Sequence, residues 1–196
     1  MNIAKRTKVR TERRFAELAR TGEIIFHSKD LANLWNIAQS NTLHTTIKRY
    51  VQKGLLFRIY KGMYSLKPVD QLDPLLLGIK ALHSYAYMSC ETVLARAGVI
   101  QQQITAIMLV SSVSKTFQIG SIRFRSRKLA DQFLFNPAGI VSDQGINTAT
   151  FERAVADMLY FNPRTYFDNP KKIDWKKVKK VQKEIGYPVV SKRQNL

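Results

Sequence analysis

The chain has 196 residues, 45% of them hydrophobic and 23% charged, which suits a folded globular protein and excludes disorder throughout. Its 32 Lys and Arg face 14 Asp and Glu, and the net charge of +18 points to a polyanionic partner, with nucleic acid ahead of an anionic membrane surface. The longest apolar runs, residues 75–79 and 106–110, fall far short of the ~20 residues a membrane-spanning helix needs. The basic N-terminus has no apolar signal-peptide core, and the single cysteine, Cys90, excludes an internal disulfide, so a cytoplasmic protein is expected. Three histidines (His27, His44, His83) and that cysteine have no zinc-ligand spacing, and neither metal nor cofactor is expected.

In chain order, residues 10–21 place Phe15, Leu18 and Ala19 on one helical face, and Gly22 ends that helix. The run 23–27 is short and apolar, a small strand. Ser28 is the expected N-cap of a second helix with Leu31, Leu34 and Trp35 inward. A turn at 36–41 leads to a third helix, with Leu43, Ile47, Tyr50 and Val51 at i, i+4, i+7 and i+8 and Gly54 past its end. Residues 55–60 and 63–66, split by Lys61-Gly62, form a hairpin. Helix, helix, turn, helix and hairpin is the outline of a winged helix-turn-helix.

A linker at 67–71 separates this domain, residues 1–68, from a second, residues 69–196. The first carries fourteen Lys and Arg against four acids, the denser positive charge. In the second, Asp73-Pro74 opens a helix. Ser89 is the expected cap of a helix over 91–97 that ends at Gly98. Residues 104–111 are a buried strand, and 116–119 with 122–128 a hairpin about Gly120-Ser121. Helices follow at 149–160 and 173–185, then a basic tail from Pro188 that frays. The fold class is α+β: a winged helix-turn-helix followed by a mixed α/β domain.

With its apolar stripe inward, the third helix turns Thr42, Thr45, Lys48, Arg49 and Gln52 outward. Arg and Gln can bind purine edges through paired hydrogen bonds, and Lys and Thr reach phosphates or bases. Arg58 and Lys61 near the hairpin turn suit contacts to the flanking backbone. A solvated helix face explains the same pattern without DNA. His44 lies at the edge of this face, as a phosphate donor or a satisfied histidine. Upstream, Lys5, Arg6, Lys8, Arg10, Arg13 and Arg14 form either a groove-binding arm or a disordered leader.

In the second domain, strand alternation puts Arg123, Arg125 and Arg127 on one face, ~6.6 Å apart, opposite Ile122 and Phe124. This row suits phosphates or an acidic protein; a solvated sheet face is the alternative. The last helix is lysine-rich, with Lys176 and Lys180 among its outward residues, and Lys makes phosphate contacts without reading sequence. Enzyme signatures are weak, with no phosphate-cradling glycine loop and no Gly-x-Ser-x-Gly elbow. Asp174-Trp175-Lys176 has the Asp-x-Lys shape of some nuclease metal sites but no acidic strand partner. Glu152, Asp157 and Asp168 can pair with basic neighbours and form no metal-ligand set.

The segment IKRYVQKGLLFRIYKGMYSL resembles the helix-to-wing region of AbiEi-family antitoxins, from abortive-infection toxin–antitoxin operons. YAYMSCETVLARAGVI, ITAIMLVSS, FQIGSIRFR and NTATFERAVADMLYFNPRTYFDN continue the resemblance in order, over residues 10–186. The turn before the third helix departs from the pattern, with Asn36-Ile37-Ala38-Gln39 where a Gly-Ile-Ser-like turn is common. The resemblance implies a non-enzymatic regulator that binds double-stranded DNA at inverted repeats of its own promoter and represses it. It also implies a C-terminal antitoxin domain opposing a nucleotidyltransferase-like toxin, as a type IV antitoxin without need of a stable complex. Thr45, Lys48, Arg49 and the Lys61-Gly62 wing match the family's DNA-contacting region. The alternatives are a stand-alone winged-helix regulator and a nucleic-acid-processing enzyme.

Overall fold

A computed structural model describes residues 3–188, with side chains from residue 9 onward. The chain is a mixed α+β protein that divides into two compact units, Met1–Leu72 and Asp73–Leu196. Residues 67 and 68 lead into a 3₁₀ turn, Val69–Gln71, before the division. Among the described residues no helix is long and apolar enough to cross a membrane. The basic tail expected to fray lies, from residue 189, outside the described residues.

The first unit runs α1 (Ile3–Arg20), β1 (Ile25–His27), α2 (Ser28–Leu34), α3 (Ser40–Gln52), β2 (Phe57–Tyr60) and β3 (Met63–Ser65). The strands form an antiparallel sheet in the order β1-β3-β2, with Ile25 opposite Ser65 and Tyr60 opposite Met63. Lys61-Gly62 makes the two-residue turn, and Gly62 sits at φ 87°, where a Cβ would be strained. Its carbonyl accepts the Ser28 amide at 2.8 Å, which ties the hairpin tip to the start of α2. Leu18, Leu31, Trp35, Leu43, Ile47 and Tyr50 join in one core with Phe26 and Leu56, so the three helices and the sheet share a single apolar interior.

Two local expectations fail here. Ser28 is the first residue of α2 rather than its cap; His27 holds the N-cap position, and its amide donates to the Asp30 carboxylate at 2.8 Å. The acid at the third helical position thus holds the N-cap amide, one half of a capping box at the start of α2. Leu34, expected inward, is 36% exposed. Seven residues make only two turns, and Leu31 and Trp35 already fill the inward side.

The second unit comprises α4 (Pro74–Lys80), β4 (Ala86–Met88), α5 (Glu91–Arg96), β5 (Ile107–Ser111), β6 (Lys115–Ile119), β7 (Ile122–Lys128), α6 (Asp131–Leu134), β8 (Ile140–Asp143), β9 (Ile146–Ala149), α7 (Phe151–Phe161) and α8 (Trp175–Ile185). One six-stranded sheet has the order β6-β7-β5-β4-β9-β8, with β5–β7 and β4–β9 parallel and the remaining pairs antiparallel. Asp73 caps α4 as expected, accepting from the Leu75 and Leu76 amides. β4, α6 and the β8–β9 hairpin were not foreseen: each is only three or four residues long, too short to display a period. Ala149 belongs to β9, and Thr150 caps α7 through the Arg153 amide.

The two faces of this sheet carry different helices. Leu109 and Phe124 meet α4 at Gly78, whereas Met108, Val110 and Tyr87 join the core built on α5, α7 and α8. A Cβ on Gly78 would sit 2.4 Å from the Phe124 ring, which is itself fully buried and stacked on Phe117. Gly78→Ala is therefore expected to destabilise the protein by up to about 2 kcal/mol: overpacking costs ~1–3 kcal/mol, against ~1 kcal/mol of helix propensity gained. Denaturant midpoints of the two proteins measure the sign, and a more stable alanine variant would refute the close packing.

At the heart of the second unit lies a buried polar cluster. Arg153 and Asp157, one turn apart on α7 and both fully buried, pair at 3.0 Å. Tyr87 (3.1 Å) and Ser89 (2.7 Å) donate to one oxygen of Asp157, and Tyr187 (2.7 Å) donates to the other. The Arg153 guanidinium also donates to the Tyr87 hydroxyl and to the carbonyls of Phe133, Asn136 and Ala138. Burial pushes the Asp157 carboxyl up, while Arg153 and the donated hydrogen bonds oppose that shift. Ser89 is thus spent on the core and does not cap α5; Cys90 holds that position, fully buried at φ 56°.

Candidate nucleic-acid interface

Helix α3 exists because Leu43, Ile47 and Tyr50 recur at helical spacing and find the first unit's core; Lys53 and Gly54, at φ 67°, end it. Those inward residues decide what faces out. Thr42, Thr45, Lys48, Arg49 and Gln52 are all exposed, together with His44. Gln39 precedes the helix, and its side chain accepts the Thr42 hydroxyl at 3.2 Å. Arg58 and Lys61 are exposed on the hairpin, Arg58 opposite Tyr64 and Lys61 in the turn. The register slips between Arg58 and Tyr60, a bulge that re-aims the strand just before the turn.

Tyr50 fastens this helix from behind. Its hydroxyl donates to the Thr11 carbonyl of α1 at 3.0 Å, and its ring lies 4.9 Å from that of Trp35. Burial pushes the Tyr50 phenol up, with Arg14 acting in the opposite sense. The indole of Trp35 donates to the Arg14 carbonyl at 3.3 Å, and the Arg14 guanidinium lies 5.7 Å from the Trp35 ring. The basic leader is therefore helical from Ile3, and its arginines divide: Arg13 pairs with Glu17 at 3.3 Å, whereas Arg10 and Arg14 border a cleft of about 570 Å³ between α1 and α3. The side chains of Lys5, Arg6 and Lys8 lie outside the described residues.

In the second unit the three-arginine row is only partly free. Arg123 and Arg125 are exposed, as alternation predicts, with Phe124 and Ser126 buried between and beside them. Arg127 is half-buried: it pairs with Glu91 of α5 and lies over the Phe161 ring of α7 at 5.4 Å. The same sheet face is thus open at Arg123 and Arg125 and covered by helices at Arg127. A strand period reveals which face a residue is on but not where the covering helix stops.

Lys176 and Lys180 are exposed on α8; Lys180 approaches Glu184 at 3.9 Å. The Asp174 carboxylate accepts the Lys176 and Lys177 amides at 3.1 Å and caps α8, so a helix start explains the Asp-x-Lys pattern. Asp157 does pair with a basic neighbour, Arg153, whereas Asp168 accepts the Gln101 amide at 2.7 Å. Sequence reading missed Arg153, although RAVADML carried a signal: an Arg and an Asp at i, i+4 within an otherwise apolar stretch of α7. Among the described residues no three His, Cys, Asp or Glu gather as a metal site would require.

No family model matches the chain, and no curated protein is significantly similar to it. Among solved structures it is similar to the crystal structure of the RV2827C protein from Mycobacterium tuberculosis, with a TM-score of 0.50 and 13% identity over 92% of this chain and 72% of that one. At such low identity the likeness speaks to fold alone. The mixed α+β architecture is thus shared with that protein over nearly the whole of this chain.

Proposed function

We propose that this chain is the antitoxin and autorepressor of an abortive-infection toxin–antitoxin operon, without enzymatic activity. Its first unit acts as a winged helix-turn-helix on double-stranded operator DNA with inverted repeats, and its second unit opposes a nucleotidyltransferase-like toxin. The observation that carries the DNA-binding half is the outward row of α3, where five exposed polar residues include two cations and no acid. The basic turn residue Lys61 belongs to the same unit. The resemblance of residues 10–186 to AbiEi-family antitoxins supports the rest. Arg123, Arg125, Lys176 and Lys180 are the exposed cations of the second unit proposed to act in antitoxin or phosphate contacts.

Binding to a labelled duplex from the chain's own upstream region, against a shuffled duplex at low and moderate salt, tests the first half. The protein is expected to prefer its operator, and Arg49→Ala to lower that preference about ten-fold or more, since a bidentate base contact is worth ~1–3 kcal/mol of discrimination. Equal, salt-fragile binding to both duplexes would reduce the charge to a general polyanion affinity. The full-length Arg49→Ala protein is also expected to rescue toxin-arrested cells as wild type does. Loss of rescue would contradict the division of labour.

A further inference from the structure

The cleft between α1 and α3 brings together residues far apart in sequence. Arg10 and Arg14 come from α1, Arg49 from α3 and Lys53 from the position that ends it; Thr42 and Thr45 add hydroxyls. Four cations line it and no carboxylate does. On α1, Glu17 is turned to Arg13 and does not line the cleft. Arg14 is only 8% exposed, and its guanidinium lies beside the Trp35 ring. Burial, and then the neighbouring charge of Arg10, push the Arg14 guanidinium below its ordinary value, with Tyr50 and Glu17 acting in the opposite sense. Cations gathered in a cleft that no carboxylate lines repel one another until an anion joins them, and arginine matches the geometry of phosphate oxygens. Thr42, Thr45 and Arg49 belong both to this cleft and to the outward row of α3, so an anion seated there adjoins whatever α3 reads.

We infer that this cleft holds a backbone phosphate of the bound DNA duplex, with Arg10 and Arg14 of α1 completing a site that α3 alone leaves half-built. The inference rests on the DNA-binding reading above and adds α1 to the interface. A free phosphorylated small molecule would offer the same chemistry. The DNA source is favoured because the cleft is continuous with the outward row of α3.

The test uses the full-length protein with operator and shuffled duplexes over a salt series. Arg10→Gln, at an exposed position, is expected to weaken binding to both duplexes by the same factor, about five- to ten-fold. It should lower the slope of log affinity on log salt by ~1 and leave the operator preference intact. Arg10→Lys, which keeps the charge, should restore the slope. Arg20→Gln, on α1 but away from the cleft, removes the same charge and should change little. If wild type prefers its operator and Arg10→Gln behaves as Arg20→Gln does, the phosphate assignment fails and the DNA-binding reading stands. If wild type binds neither duplex, both fail. A parallel titration with inorganic phosphate and pyrophosphate, without DNA, follows Trp35 fluorescence in a Trp175→Phe background. Saturation that Arg10→Gln abolishes, with duplex affinity unaffected by the same change, would assign the cleft to a free phosphorylated ligand and overturn the proposal.

Discussion

Asp157→Asn is expected to destabilise the second unit by about 3–5 kcal/mol, because it strands the fully buried Arg153 charge without its partner. The asparagine keeps one acceptor oxygen. Its amide group then faces hydroxyls that already donate, from Tyr87 and Ser89 on one side or Tyr187 on the other. An isolated buried ion pair can often be replaced by two apolar side chains at little cost. Here that route is closed, since three hydroxyls and three backbone carbonyls depend on the pair for their partners. Arg153→Leu combined with Asp157→Leu is therefore expected to be no more stable than Asp157→Asn. The chain has two tryptophans, and in a Trp35→Phe background the remaining Trp175, at the start of α8, reports on the second unit during urea unfolding. A loss below about 1 kcal/mol would mean that the cluster is not the anchor its burial implies.

The second large effect falls on the first unit. Tyr50→Ala is expected to cost about 3–5 kcal/mol, in the range for truncating a buried aromatic, and to loosen α3 from α1. The ring contact with Trp35 and the bond to the Thr11 carbonyl go together, and the cleft between the two helices loses part of its wall. Tyr50→Phe separates the two terms: it removes only the hydroxyl and should cost about 1 kcal/mol. With Trp175→Phe as background, Trp35 reports on this unit directly. If Tyr50→Phe costs as much as Tyr50→Ala, the hydroxyl is the dominant tie and packing is secondary. Duplex affinity should fall in Tyr50→Ala beyond what the stability loss explains, since the exposed row of α3 is aligned by what lies beneath it.

Much of the first unit was legible in the sequence because its signals are local. The spacing of Leu43, Ile47 and Tyr50 sets the inward side of α3, and with it the exposure of Thr42, Thr45, Lys48, Arg49 and Gln52. Lys61-Gly62 between two β-rich runs marks the hairpin, since Gly62 takes the positive φ that the turn requires. Asp73-Pro74 marks the start of α4 by the same local chemistry. Strand alternation likewise assigned Arg123, Arg125 and Arg127 to one face.

Tertiary structure alone decided what these residues meet. Ser89 resembles a helix cap until Asp157, 68 positions away, takes its hydroxyl. Arg127 looks as free as Arg123 until α5 and α7 supply Glu91 and Phe161. β4 is three residues long and earns its place only between β5 and β9. Arg10 and Arg14 read as a basic leader, and only the packing of α1 against α3 sets them beside Arg49 and Lys53. Period and turn chemistry act over a few residues and are written in the local sequence. Pairing, covering and charge gathering depend on residues the chain brings together only when it folds, and no local pattern encodes those partners.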